Sequence, residues 1–150
     1  MRYLFFIAFV SGITSAGCGA PAVDGNTYPD ESSSVAQWIV NDLVSASARA
    51  LEMGMPLLMD LYADWCGPCR TLGEEYFPSE ELQSVLSNFV LVKIDIDSPS
   101  GVPIANRYNV SSIPTVIIAH ADGTEIERIV GITPTATEYA MALQEIVDNL

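Results

Sequence analysis

Two cysteines three positions apart carry the chemistry that this sequence advertises. They lie in Leu57-Leu-Met-Asp-Leu-Tyr-Ala-Asp-Trp-Cys-Gly-Pro-Cys-Arg70. The apolar run Leu57 to Ala63 reads as a buried strand that ends at Asp64-Trp65, and Cys66-Gly67-Pro68-Cys69 opens a helix. Cysteines at that spacing in a first helical turn share one face and are close enough to bridge. The helix start adds unpaired N–H groups and partial positive charge, so the first thiol should lose its proton easily. An exposed, activated thiolate backed by a second thiol performs thiol–disulfide exchange. Cys66 therefore reads as the nucleophile and Cys69, one turn in and more buried, as the resolving thiol. The alternatives are a zinc half-site or an inert structural disulfide. Zinc takes about four ligands, and the rest of the chain offers only Cys18 and His120 as further cysteine and histidine.

Asp60 stands out next. An acid inside Leu57-Leu-Met-Asp-Leu-Tyr62 is out of place in a buried strand, because an unpaired buried charge is costly. Desolvation should raise its pKa and make it a proton acceptor near neutrality. The alternative is an edge-strand acid facing water. Lys93, the only lysine of the chain, sits within a second apolar run, Phe89 to Ile96. Taken on its own it is either a solvated strand residue or a buried partner for an acid. Pro68 lacks an N–H and suits a first helical turn. Trp65 offers an apolar rim for a partner peptide, and Gly67 shapes the loop between the thiols.

These residues need a scaffold, and the rest of the chain supplies one. Ser33 or Ser34 caps a predicted helix to about Met53, with Val35, Trp38, Ile39, Asp42, Leu43, Ala46 and Ala50 at helical spacing. No convincing strand precedes it. After the Cys66 helix, Phe77-Pro78 forces a break. Ser79 caps a short helix to about Leu86, and Phe89 to Ile96 forms a second strand. Val102 to Tyr108 reads as a short helix. Thr115 to Ala119 and Thr124 to Val130 form a hairpin about Ala121-Asp-Gly123, and a last helix starts near Thr133 to Thr135. The order predicts an α/β fold, a central mixed sheet flanked by helices.

Composition narrows the class. A chain of 150 residues, 49% hydrophobic, supports one domain with a real core. Nineteen acidic and six basic residues give a formal net charge of −13, which argues against nucleic acid and anionic membrane surfaces as partners. Met1-Arg2, the apolar Tyr3 to Val10 and the small residues that follow look like an export signal, expected over residues 1–17. Ser15-Ala-Gly-Cys18 resembles a lipobox, which would make Cys18 the lipidated first residue and a membrane tether. Ser15 stands where a lipobox usually has leucine, and cleavage after Ala22 is the alternative. Residues 18–33, rich in Gly, Pro, Ser, Asn and Asp, read as a flexible tether to a domain over 34–150.

Ala63-Asp-Trp-Cys-Gly-Pro-Cys-Arg70, followed by Ser112-Ile-Pro-Thr115, resembles the thioredoxin superfamily. The wider frame, including Leu61 to Cys66 and Gly123 to Gly131, looks most like the thioredoxin-like domain of periplasmic thiol:disulfide interchange reductases. The Gly-Pro dipeptide is instead that of thioredoxin proper. The resemblance implies a thioredoxin-like fold with its first strand absent or replaced, and a redox disulfide Cys66–Cys69. It matches Asp60 to the buried acid that helps deprotonate the resolving cysteine, and Lys93 to the strand lysine that approaches that acid. It makes Pro114 a cis proline beside the thiols, exposes the backbone of Ile113 for pairing with a substrate segment, and sets Gly131 near the substrate groove.

The implied reaction is reduction of disulfides in exported proteins by a monomer on the periplasmic side of a bacterial envelope, anchored or soluble. No cofactor or metal is called for, since the dithiol carries two electrons, but a membrane electron donor must re-reduce it. Run in reverse, the same site is a disulfide oxidase or isomerase. A non-catalytic binding module that keeps the cysteines as a staple is the third possibility.

Overall fold

The computed structural model describes residues 36–150. The expected export signal, Cys18 and the tether over 18–33 lie outside the described residues. Five strands and five α-helices follow in the order β1 (Trp38–Val40), α1 (Leu43–Met53), β2 (Leu57–Tyr62), α2 (Gly67–Arg70), α3 (Glu80–Leu86), β3 (Val90–Asp95), α4 (Gly101–Arg107), β4 (Thr115–Ala119), β5 (Glu125–Val130) and α5 (Ala136–Asp148). Between α2 and α3 the chain continues as a π-helical turn, Thr71–Tyr76.

The strands form one mixed sheet in the order β1-β3-β2-β4-β5. β1, β3 and β2 run parallel, and β4 and β5 are antiparallel additions. Side chains alternate along β2, so Leu57, Met59 and Leu61 enter one core while Leu58 faces the other. The first core is closed by Ala46 and Ala50 of α1 and by Tyr108 after α4. The second is closed by Leu72 and Tyr76 of the π-helical turn, Leu82 and Leu86 of α3, and Tyr139 and Leu143 of α5. Helices therefore cover both faces, as the buried strands at the centre of the sheet require.

One expected element is corrected. The predicted helix from Ser33 or Ser34 starts instead at Leu43, and Trp38–Val40 is a strand paired with Leu91–Lys93. Trp38 packs against the core of α3 and α5 and Ile39 against that of α1 and α4, the alternation of a strand and not the shared stripe of a helix. Asn41, at a positive φ of 55°, turns the chain, and its N–H donates to the Lys93 carbonyl at 2.8 Å. Asp42, read from spacing as a face residue, is the N-cap and accepts from the Ser45 N–H at 2.9 Å. The sheet thus has a first strand, of three residues.

The other elements fall where the sequence predicts them. Ser79 and Thr135 accept N–H groups of the first turns of α3 and α5. The cysteine helix differs in detail, because its second half is π-helical, with the Phe77 N–H reaching the Leu72 carbonyl at 2.9 Å. Such turns occur often at functional sites.

Candidate active site

The site lies at one end of the sheet. β2 delivers the chain to Ala63, and Cys66 occupies the N-cap of α2 with extended backbone, followed by Gly67 and Pro68 in the first turn. Antiparallel to β2, β4 begins at Thr115 opposite Leu61, which brings Ile113-Pro114 to the same end. The Ile113–Pro114 bond is cis. The Gly131 N–H donates to the Pro114 carbonyl at 2.8 Å, and Thr115 Oγ1 donates to the Ser112 carbonyl at 2.7 Å. Gly131 has φ of 83°, a left-handed conformation that glycine adopts without strain. Cys66, Gly67, Pro68, Ile113, Pro114 and Gly131 thus share one edge.

Cys66 and Cys69 are joined by a disulfide, with their Cα atoms 5.2 Å apart. The Cys69 N–H donates to Cys66 Sγ at 3.2 Å. Once the pair is reduced, this N–H and the helix start favour negative charge on the Cys66 sulfur. The expected contrast in burial is corrected: Cys66 is 4% exposed and Cys69 5%. The exposed groups at the site are Gly67, Pro68 and the neighbouring Trp65, the last at 69%. Its indole N–H donates to Asp97 Oδ2 at 2.7 Å, so the ring is held from the loop after β3. Asp97 escaped the sequence analysis; the one signal was an acid just past a strand end, which is ordinary.

Beneath the cysteine helix, Asp60 is buried, 2% exposed, and its position in the alternation of β2 turns it to the side of Leu58. Burial pushes its carboxyl up to about 7, against the opposing pull of the Lys93 ammonium. Oδ1 has no hydrogen-bond partner among the described residues, and neither has the buried Tyr139 hydroxyl of α5. Burial first, and the Asp60 charge second, hold the Tyr139 hydroxyl well above the usual phenol range. Lys93 is the register partner of Asp60 on the neighbouring parallel strand. A surface cavity of about 180 Å³ has Lys93, Cys69, Gly73 and Tyr62 on its wall, so water can come up to the cationic side chain and the second cysteine together. The edge-strand alternative for Asp60 is excluded, since β2 is the central strand.

Among the described residues, no cluster of His, Cys, Asp and Glu could hold a metal ion, and no helix is long and apolar enough to cross a membrane. The arrangement is a dithiol–disulfide couple on a helix start, a buried acid behind it and an exposed indole in front of it.

Known proteins resemble the chain in sequence and in fold. The thioredoxin family model matches residues 47–144. A thiol:disulfide interchange protein DsbD from Klebsiella pneumoniae is 33% identical over 135 residues, 83% of this chain and 21% of its own length. A thioredoxin from Chlamydia trachomatis is 46% identical over 76 residues, 51% of this chain and 69% of its own. In fold, the reduced C-terminal domain of DsbD from Neisseria meningitidis superposes with a TM-score of 0.60 at 22% identity, over 71% of this chain and 98% of that one. The chain spans about a fifth of the length of the DsbD relative. With the family model, the mixed five-stranded sheet and the bonded Cys66–Cys69 pair in agreement, the chain belongs to the thioredoxin family.

Proposed function

We propose that this thioredoxin-family chain is a thiol:disulfide oxidoreductase that works in the reducing direction on disulfides of exported proteins, on the periplasmic side of the envelope. The observation that carries the mechanism is the Cys66–Cys69 pair with a buried acid behind it, whose carboxyl titrates near neutrality. In the reduced enzyme the Cys66 thiolate attacks one sulfur of the substrate disulfide. A mixed disulfide forms and the other substrate sulfur leaves as a thiolate. Asp60 takes the Cys69 proton, and the Cys69 thiolate attacks Cys66 Sγ. The second substrate thiolate leaves and the Cys66–Cys69 disulfide closes. Two electrons have passed to the substrate, and a membrane electron donor returns them.

Around this core, Trp65 and the cis Ile113-Pro114 segment flank the substrate, the Ile113 backbone pairing with an extended segment and Gly131 keeping the adjoining groove open. Gly67 and Pro68 keep the loop over the thiols small. Lys93 supports the ionised form of Asp60. Lipidation at Cys18 would tether a monomeric domain to the membrane. Similarity to proteins named thiol:disulfide interchange protein supports the envelope setting, and the Gly-Pro dipeptide supports reduction.

The test is the reduction potential of Cys66–Cys69 in thiol redox buffers. A value near about −270 mV fits a reductase, whereas one above about −150 mV reverses the direction proposed.

A further inference from the structure

Lys93 has an unusual lodging for the only lysine of the chain. It is half-buried, and no carboxylate lies within ion-pair distance of it among the described residues, where the one such pair is Arg128–Glu125. Aromatic faces surround it instead. Its ammonium stands 5.1 Å from the ring centre of Trp38, 5.7 Å from Phe77 and 5.9 Å from Tyr62. These rings come from β1, the segment before α3 and the end of β2, and Trp38 packs on Phe77 with centroids 4.7 Å apart. From the fourth side, Gly73 of the π-helical turn leaves the room. A Cβ there would lie 3.2 Å from the lysine nitrogen.

We propose that Trp38, Phe77 and Tyr62 form an aromatic cage that fixes the Lys93 ammonium beside Asp60, and that Trp38 is thereby a positioning residue for the proton on Asp60. A long side chain with no carboxylate partner, on the wall of a cavity open to water, would otherwise spread over solvent-facing rotamers. The ring faces attract a cation and hold it at one place. A positive charge held there favours the carboxylate form of Asp60, against the burial that favours the acid. Trp38 would then act on Asp60 through the lysine alone. The other groups that face this spot are Tyr139 from α5, Asp64 after β2, Asp95 at the end of β3, and Cys69, Arg70 and Glu74 along the cysteine helix.

The inference rests on Asp60 as the proton acceptor of the proposed reaction, but its test needs no substrate. The full chain is prepared in the disulfide form, where neither cysteine titrates, and the Asp60 carboxyl is followed by carbon NMR against pH. Trp38→Phe keeps a ring and should leave the midpoint in place. Trp38→Leu should raise it by about half a pH unit, and the rise should vanish when Lys93→Met is already present. An unmoved midpoint in Trp38→Leu, or a rise that persists without the lysine, overturns the proposal and leaves Trp38 as packing. Should Trp38→Leu fail to fold, Tyr62→Leu at the half-exposed ring is the substitute, with a smaller rise expected and the same dependence on Lys93. A reduction potential that refuted the reducing direction would leave this titration untouched, so the two failures can be told apart.

Discussion

The two faces of one sheet are built to different rules. On the face toward α1 and α4, β2 and β3 present only apolar groups, among them Leu57, Met59, Leu61, Val92 and Ile94, all fully buried. On the face toward α3 and α5 the same strands carry an acid and a lysine at paired positions, under a tyrosine whose hydroxyl lacks a partner. The first face needs only to be close-packed. The second gives up stability, since a buried carboxyl without full hydrogen bonding favours its neutral form and resists ionisation. What it gains is an ionisable group that changes state near neutral pH beneath the cysteine helix. Alternation along a strand lets one element serve both ends, because neighbouring residues never share a face.

Substitutions on the two faces should therefore behave differently. Leu61→Ala, on the apolar face, should destabilise by about 3 kcal/mol at every pH and leave the reduction potential alone, as read by denaturant melts and redox titration. Asp60→Asn should do the reverse. The folded carboxyl holds its proton to about pH 7, while the unfolded one releases it near 3.8. The wild type should thus lose stability as pH rises from about 4 to 7, and Asn should abolish that slope. Equal stability below pH 4 and a gain on the order of 4 kcal/mol at pH 8 are expected from melts across pH. A wild-type slope that survives in Asp60→Asn would place the titration elsewhere. The same variant should slow the release of a mixed disulfide, seen by stopped flow.

Smaller effects should come from the rim, which belongs to neither core. Gly131→Ala puts a Cβ on a residue at φ 83° and should cost about 1 kcal/mol in a thermal melt. Asp97→Ala removes the acceptor of the Trp65 indole and should leave stability within about 1 kcal/mol. Its effect should appear instead as a raised KM for protein disulfides with little change for a small disulfide reagent. Equal effects on both substrates would mean that Trp65 is not part of the protein-binding rim.

Legibility in the sequence followed the same division. The strands β2 to β4 announce themselves as apolar runs and β5 as the far arm of a hairpin turn, and Asp60 was conspicuous because a charge interrupts one of those runs. β1 was hidden. Three residues hold as a strand only because β3 supplies a pairing edge, and two adjacent large apolar residues, Trp38 and Ile39, fit a helix stripe as well as a strand. The capping role of Asp42 was lost with it. Cys66 and Cys69 could be placed by motif, but their equal burial is set by the elements packed around the helix end. Contacts assembled from distant elements left no local trace: Asp97 meets Trp65 across 32 positions, and the rings around Lys93 come from three separate segments. Residue type reveals a misplaced charge, whereas its neighbours are fixed only by the tertiary fold.

The hydrogen bond from the Cys69 N–H to Cys66 Sγ carries one more consequence. The atom that exchanges electrons is also the atom that closes the first turn of its own helix, in the place where a serine or aspartate usually stands. Any change in the charge or bonding of that sulfur is therefore felt at once by a backbone amide. The Cys69 amide should act as a built-in reporter, with hydrogen exchange slowest when a thiolate accepts from it and faster when the sulfur is tied to a substrate. Redox state in this protein can be read from the backbone, without touching a cysteine.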